Sequence, residues 1–149
     1  MPQKSQSRRV LSPDGQTLVT IHDGYMGNFG IKHQRSLFLS LNGLELRGED
    51  ALSAPGRPSG AAPVPVVARF HVHPSVKASL SEDGRSVALT APSGQVWHFA
   101  ATGGQMALSG SVYCGDGEVI QRSEQILISA SLSGERQAPL QWTLKQASI

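Results

Sequence analysis

A chain of 149 residues holds one domain with a substantial buried core and leaves no room for a second of similar size. With 39% hydrophobic and 16% charged residues, a formal charge of only +2 and basic residues scattered along its length, it lacks the concentrated basic face of a nucleic-acid binder. A single cysteine, Cys114, excludes an internal disulfide framework and a cysteine-rich zinc site, and is expected to be a small buried or half-buried side chain.

The chain opens with MPQKSQSRRV, whose charges are followed by no apolar run, so it reads as neither a signal peptide nor an anchor. Residues 1–11 are expected to be a flexible segment ahead of the domain. No stretch approaches the roughly eighteen consecutive apolar residues of a spanning helix. The expectation is a chain with no membrane partner that stays where it is made: cytoplasmic as written, periplasmic if it belongs to a larger exported protein.

From residue 12 onward the apolar period is two. QTLVTI (16–21), SLFLSL (36–41), LELRGED (44–50) and VPVVARFHVH (64–73) alternate in this way. So do SVALTA (86–91), QVWHFA (95–100), QMALSGSVYC (105–114), QILISASL (125–132) and QWTLK (141–145). Such runs, bounded by Gly, Ser, Asn and Asp, are strands. Asp14-Gly15, Asn42-Gly43, Asp83-Gly84, Ser93-Gly94 and Gly103-Gly104 each lie between two of them and supply the backbone freedom of tight hairpins. No window carries a helical stripe with caps. The segment from Ser53 to Pro65, punctuated by Pro55, Pro58, Pro63 and Pro65, is no central strand and reads as a crossover between sheets or an exposed loop. The predicted fold is all-β, an antiparallel β-sandwich of hairpin-linked strands over residues 12–145, with 146–149 frayed.

Alternation also assigns faces. On a strand from about Ile31 to Leu41, His33 and Arg35 share a side with Leu37, Leu39 and Leu41. An arginine at the end of a leucine row needs a partner, and the hairpin through Asn42-Gly43 brings Glu49 and Asp50 back beside it, with Asp23 a further candidate. His22-Asp23-Gly24-Tyr25 follows a strand directly. His22 and Tyr25 could act as base and acid in proton abstraction, but a capping histidine and a buried tyrosine with a satisfied hydroxyl are the simpler expectation.

In ARFHVHP (68–74), Arg69, His71 and His73 share one face and Phe70 and Val72 the other. Two histidines at this spacing can both reach one metal ion, but a catalytic zinc needs a third ligand, which His22, His33 or Asp50 would have to provide. A hydrogen-bonded polar layer is expected there, and no cofactor. Gly115-Asp116-Gly117 lacks the further glycine and following helix of a nucleotide fingerprint, and no serine nucleophile elbow occurs.

The order of these motifs carries a resemblance. His22-Asp23-Gly24-Tyr25, Phe29-Gly30-Ile31-Lys32-His33-Gln34-Arg35, Leu46-Arg47-Gly48-Glu49-Asp50 and Arg69-Phe70-His71-Val72-His73-Pro74 resemble the C-terminal region of heparinase II/III-like proteins. Tyr113 to Gly117, Gln125 to Ile128 and Trp142 fit the same pattern. The resemblance implies a polysaccharide lyase in its complete form, with an N-terminal helical toroid on a C-terminal sandwich, cleaving acidic polysaccharides by β-elimination at a uronic acid. In that family the catalytic Asn, Tyr and His groups come largely from the toroid, and a metal-associated histidine motif lies in the first strands of the sandwich. This sequence starts after that motif, so the resemblance assigns catalysis to no numbered residue here. It implies an acidic polysaccharide or a toroid domain as partner, and apolar surface that a homodimer would otherwise cover. His22, Asp23, Tyr25, His33, Arg35, Asp50, Arg69, His71 and His73 are the candidates for glycan contact or a framework role.

Overall fold

The computed structural model of this chain describes residues 4–115, 117, 119–136 and 139–147. Among the described residues, eleven strands and one helical turn run in the order β1 (Ser5–Ser12), β2 (Gly15–His22), α1 (Met26–Phe29), β3 (Lys32–Ser40), β4 (Glu45–Ser53), β5 (Val64–Val72) and β6 (Lys77–Leu80). They continue with β7 (Ser86–Thr90), β8 (Val96–Thr102), β9 (Gln105–Tyr113), β10 (Gln121–Leu132) and β11 (Leu140–Gln146). One sheet has eight strands in the order β1-β2-β3-β4-β11-β8-β7-β6, the other three in the order β5-β10-β9. Every pairing is antiparallel. The all-β sandwich is therefore as expected, and the proline-rich segment after Ser53 is the crossover from the large sheet to the small one.

Three elements differ from the sequence reading. Residues 5–11, expected to be flexible, form with Ser12 the strand β1, paired with β2 from Ser5↔His22 to Ser12↔Gly15. As a sheet edge it is exposed on both faces, so its sequence carries no apolar alternation to announce it. The four-residue β6 is too short to show a period. The turn α1 ends at Gly30, whose φ of 66° is left-handed, and has no buried residue from which a helical stripe could be read. The strand β11 runs through Gln146, and Ala147 donates its amide to the Val96 carbonyl at 2.9 Å. Of the tail expected to fray, Ser148 and Ile149 lie outside the described residues, as do Met1 to Gln3 and the Asp116 of the Gly-x-Gly stretch. Cys114 is exposed, contrary to expectation, because it sits just past the end of β9, beyond the packed faces.

The core forms where the small sheet covers the middle of the large one. Ile126 and Ile128 of β10 and Val72 of β5 face Val87, Phe99, Leu140 and Trp142 of the large sheet. Three aromatic rings bridge the layers. Trp142 stacks on Phe99 at 5.9 Å and meets Phe70 of β5 edge-on at 5.0 Å. Trp142 needs the space above Gly48: a Cβ there would lie 2.1 Å from the indole. A smaller cluster of Ile31, Ala54 and Leu132, joined by Leu52, Val64 and Val66, continues the core toward the β2–β3 turn. Among the described residues, none of β1 or β2 joins either core cluster, whereas β3 and β4 contribute Leu37, Leu46 and Leu52, so the polar ends of β2, β3 and β4 stand at the rim of the core.

Candidate functional site

Hairpin symmetry builds this rim. Pairing about Asn42-Gly43, with Gly43 at a φ of 72°, sets Arg35 opposite Asp50 and His33 opposite Leu52. Across the other edge of β3, His22 faces His33 and Thr20 faces Arg35. One face therefore carries His22, His33, Arg35 and Asp50 side by side.

These groups bond to one another in a directed series. The Gly24 amide donates to His22 Nδ1 at 3.1 Å, His22 Nε2 and His33 Nδ1 lie 2.9 Å apart, and His33 Nε2 is 2.7 Å from Asp50 Oδ1. Because Gly24 supplies the hydrogen at His22 Nδ1, the neutral His22 proton sits on Nε2 and points at His33. His33 in turn carries its proton on Nε2 and donates it to Asp50. Arg35 donates twice to the same carboxylate, from Nε to Oδ1 at 2.6 Å and from Nη2 to Oδ2 at 3.0 Å. The Trp142 indole N–H gives the fourth bond, to Oδ2 at 3.1 Å. Asp50 is 5% exposed, and its four acceptor positions are all filled.

The electrostatics follow from that inventory. Burial by itself would raise the Asp50 pKa. The hydrogen bonds from His33 and Arg35, the Arg35 charge and the Trp142 indole outweigh burial and hold it at about 2. For His22, burial lowers the pKa and the neighbouring His33 lowers it further, Asp23 opposes this, and Arg35 adds to the lowering. The site favours a neutral His22 beside an ionised Asp50.

Beside the network opens a cleft of about 550 Å³ between β2–β4 and β5. Tyr25, Phe29, Arg35 and Arg69 line it together with the two imidazoles, over an apolar floor that includes Leu52, Val66 and Leu140. Tyr25 is 47% exposed, not buried as expected: it heads the turn α1, which projects from the sheet, and its ring stands 5.3 Å from His22. His22 does cap its turn, and Arg35 does pair with Asp50. Asp23 is tied to the chain start by a bond from the Lys4 amide to its carboxylate at 3.0 Å.

The second cluster stays apart from the first. His71 meets Ser111 Oγ at 3.0 Å and His73 meets Ser75 Oγ at 2.7 Å, both at exposed positions. The His73 ring lies 4.8 Å from Tyr113. Among the described residues, no group of three or more His, Cys, Asp or Glu side chains is arranged to hold a metal ion. Among them, too, no helix is long and apolar enough to cross a membrane. The residue that sequence reasoning missed is Trp142, whose bond to Asp50 spans 92 positions; the alternation Leu140, Trp142, Leu144 marks an inward tryptophan without indicating its partner.

The family described as Heparinase II/III-like, C-terminal, matches residues 1–143. This chain belongs to that family. The domain is similar to FtsZ-localized protein C of Caulobacter vibrioides (strain NA1000 / CB15N), with 32% identity over 149 residues, 97% of this chain and 26% of that protein. Its fold is that of the heparan sulfate lyase HepC from Pedobacter heparinus, at a TM-score of 0.80 and 9% identity, over 98% of this chain and 22% of that one. A heparinase III matches at a TM-score of 0.74 and 12% identity, over 96% of this chain and 21% of that one. The heparinase II/III-like domain thus spans about a quarter or less of each of these relatives, in which it is one part of a larger protein.

Proposed function

We propose that this domain braces the remainder of a polysaccharide lyase, lines one wall of its glycan cleft, and does not cleave the polymer by itself. The reaction of the complete protein is β-elimination at a uronic acid. One observation carries the reading: all four ring nitrogens of His22 and His33 are committed to internal hydrogen bonds, while the adjoining cleft still offers Tyr25, Arg35 and Arg69. Such a wall has donors for an acidic sugar and no unengaged imidazole to take a proton from it. The hairpin tips supply a bracing surface: Leu11 is 70% and Leu41 79% exposed, and the tips are joined by the Leu41 amide bonding to the Asp14 carbonyl. The test is incubation of the purified chain with heparin, heparan sulfate and alginate. No rise in unsaturated-uronate absorbance is expected from the chain alone, and a rise would overturn the reading.

A second reading rests on the 32% identical relative, which is named for localisation to FtsZ and not for catalysis. In that reading the domain is a non-catalytic interaction module. Saturable binding to FtsZ filaments with none to acidic oligosaccharides would favour it over the glycan wall.

A further inference from the structure

The turn that walls the cleft is held by an arrangement that, with the cleft empty, disfavours an additional proton. From the Gly24 amide to Asp50, each hydrogen bond has one donor and one acceptor. A further proton on either imidazole sets two donors head to head, at Gly24–His22 or at His22–His33. Either outcome loosens the turn that carries Tyr25.

The groups around the pair decide when this happens. On the turn, Asp23 favours the proton, and the Lys4 amide at the start of β1 holds that carboxylate. On β3, Arg35 opposes it. On β4, Asp50 is occupied by four donors, and on β11 Trp142 is neutral. On β5, Arg69 stands on the exposed face and lines the cleft. Among the described residues that line it, the cleft therefore presents two guanidinium groups and a phenol, and the carboxylate of Asp50 has no acceptor position to spare.

We propose that the cleft is a subsite for a carboxylate or sulfate group, anchored by Arg69 and Tyr25, whose arrival draws one proton onto the His22–His33 pair. An anion placed there offsets the repulsion from Arg35 and gives a displaced ring N–H an acceptor. Proton and anion then reinforce each other, and linkage limits the gain to about tenfold in affinity per pH unit. The inference rests on reading the cleft as a glycan wall, and names the chemistry that this wall selects.

The experiment titrates the 149-residue chain with inorganic sulfate and with glucuronate between pH 7.5 and 5.5, following the His22 ring and Gly24 amide by NMR. Affinity is expected to rise several-fold as the pH falls, with the Gly24 amide signal moving on binding. Arg69→Gln should weaken binding at least fivefold, and His22→Gln should flatten the pH dependence. Affinity that is flat with pH, an unchanged affinity in Arg69→Gln, or no saturation by either anion would overturn the proposal. The pH series on the unaltered chain decides it even if a variant fails to fold. Saturable, pH-independent binding of long acidic polysaccharides would leave the glycan wall standing while refuting this proton-linked subsite.

Discussion

Replacing Asp50 by asparagine keeps the shape of the side chain and removes its charge. The new amide nitrogen must face either His33 Nε2 and Arg35 Nε or Arg35 Nη2 and Trp142 Nε1, and in both cases donor meets donor. Arg35 also loses the carboxylate that compensates it. Breaking a fully buried ion pair costs about 3–5 kcal/mol; with Arg35 36% exposed, water recovers part of that, leaving about 2–3 kcal/mol. For a domain of this size the melting temperature should fall by roughly 5–10 °C at pH 7. The pH dependence has a definite sign. The folded-state pKa of Asp50 is lowered from 3.8 to about 2, so its stabilisation is present above 3.8 and lost as the pH falls from there toward 2. Urea unfolding of both proteins from pH 7 down to pH 3 should show the gap between them narrowing below pH 4. An Asp50→Asn protein within about 0.5 kcal/mol of the parent at pH 7, a change typical of unconnected surface positions, would refute the argument.

Three further outcomes follow from the same geometry. Gly48→Ala places a methyl group 2.1 Å from the Trp142 ring, and should destabilise by about 2–3 kcal/mol in urea unfolding, with quenched or shifted indole fluorescence. Trp142→Ala empties the aromatic bridge and leaves Asp50 short of a donor, so a loss of about 3–5 kcal/mol is expected by the same assay. Because the His22 pKa is lowered in the fold, the unfolded chain takes up the proton first; stability should decline as the pH drops below 6.5, and His22→Gln should remove that decline.

What the sequence discloses here is what neighbours in the chain decide. The pair Arg35–Asp50 can be foreseen because both residues lie on one hairpin, and the symmetry about Asn42-Gly43 fixes their register. Gly43, Gly84, Gly94 and Gly103, legible in the sequence as hairpin glycines, all take positive φ. The division into eight strands and three is not legible in this way. It depends on β11 inserting between β4 and β8, and on β5 leaving the large sheet to pair with β10, both non-local choices made by packing. The cleft is hidden for a similar reason. His22 and His33 meet only because the excursion through α1 returns the chain in register, and Arg69 reaches the cleft only through the crossover at 53–65.

The claim on which this account turns is that, in the unliganded domain above neutral pH, His22 and His33 are framework groups with fixed protons. Nitrogen-15 NMR of the imidazoles at pH 7.5 tests it directly. Both rings should carry hydrogen on Nε2 and none on Nδ1, and the Gly24 amide should exchange slowly with solvent. A hydrogen on Nδ1 of either ring, or tautomers averaging as in free histidine, would show that these side chains are available for chemistry and contradict the account.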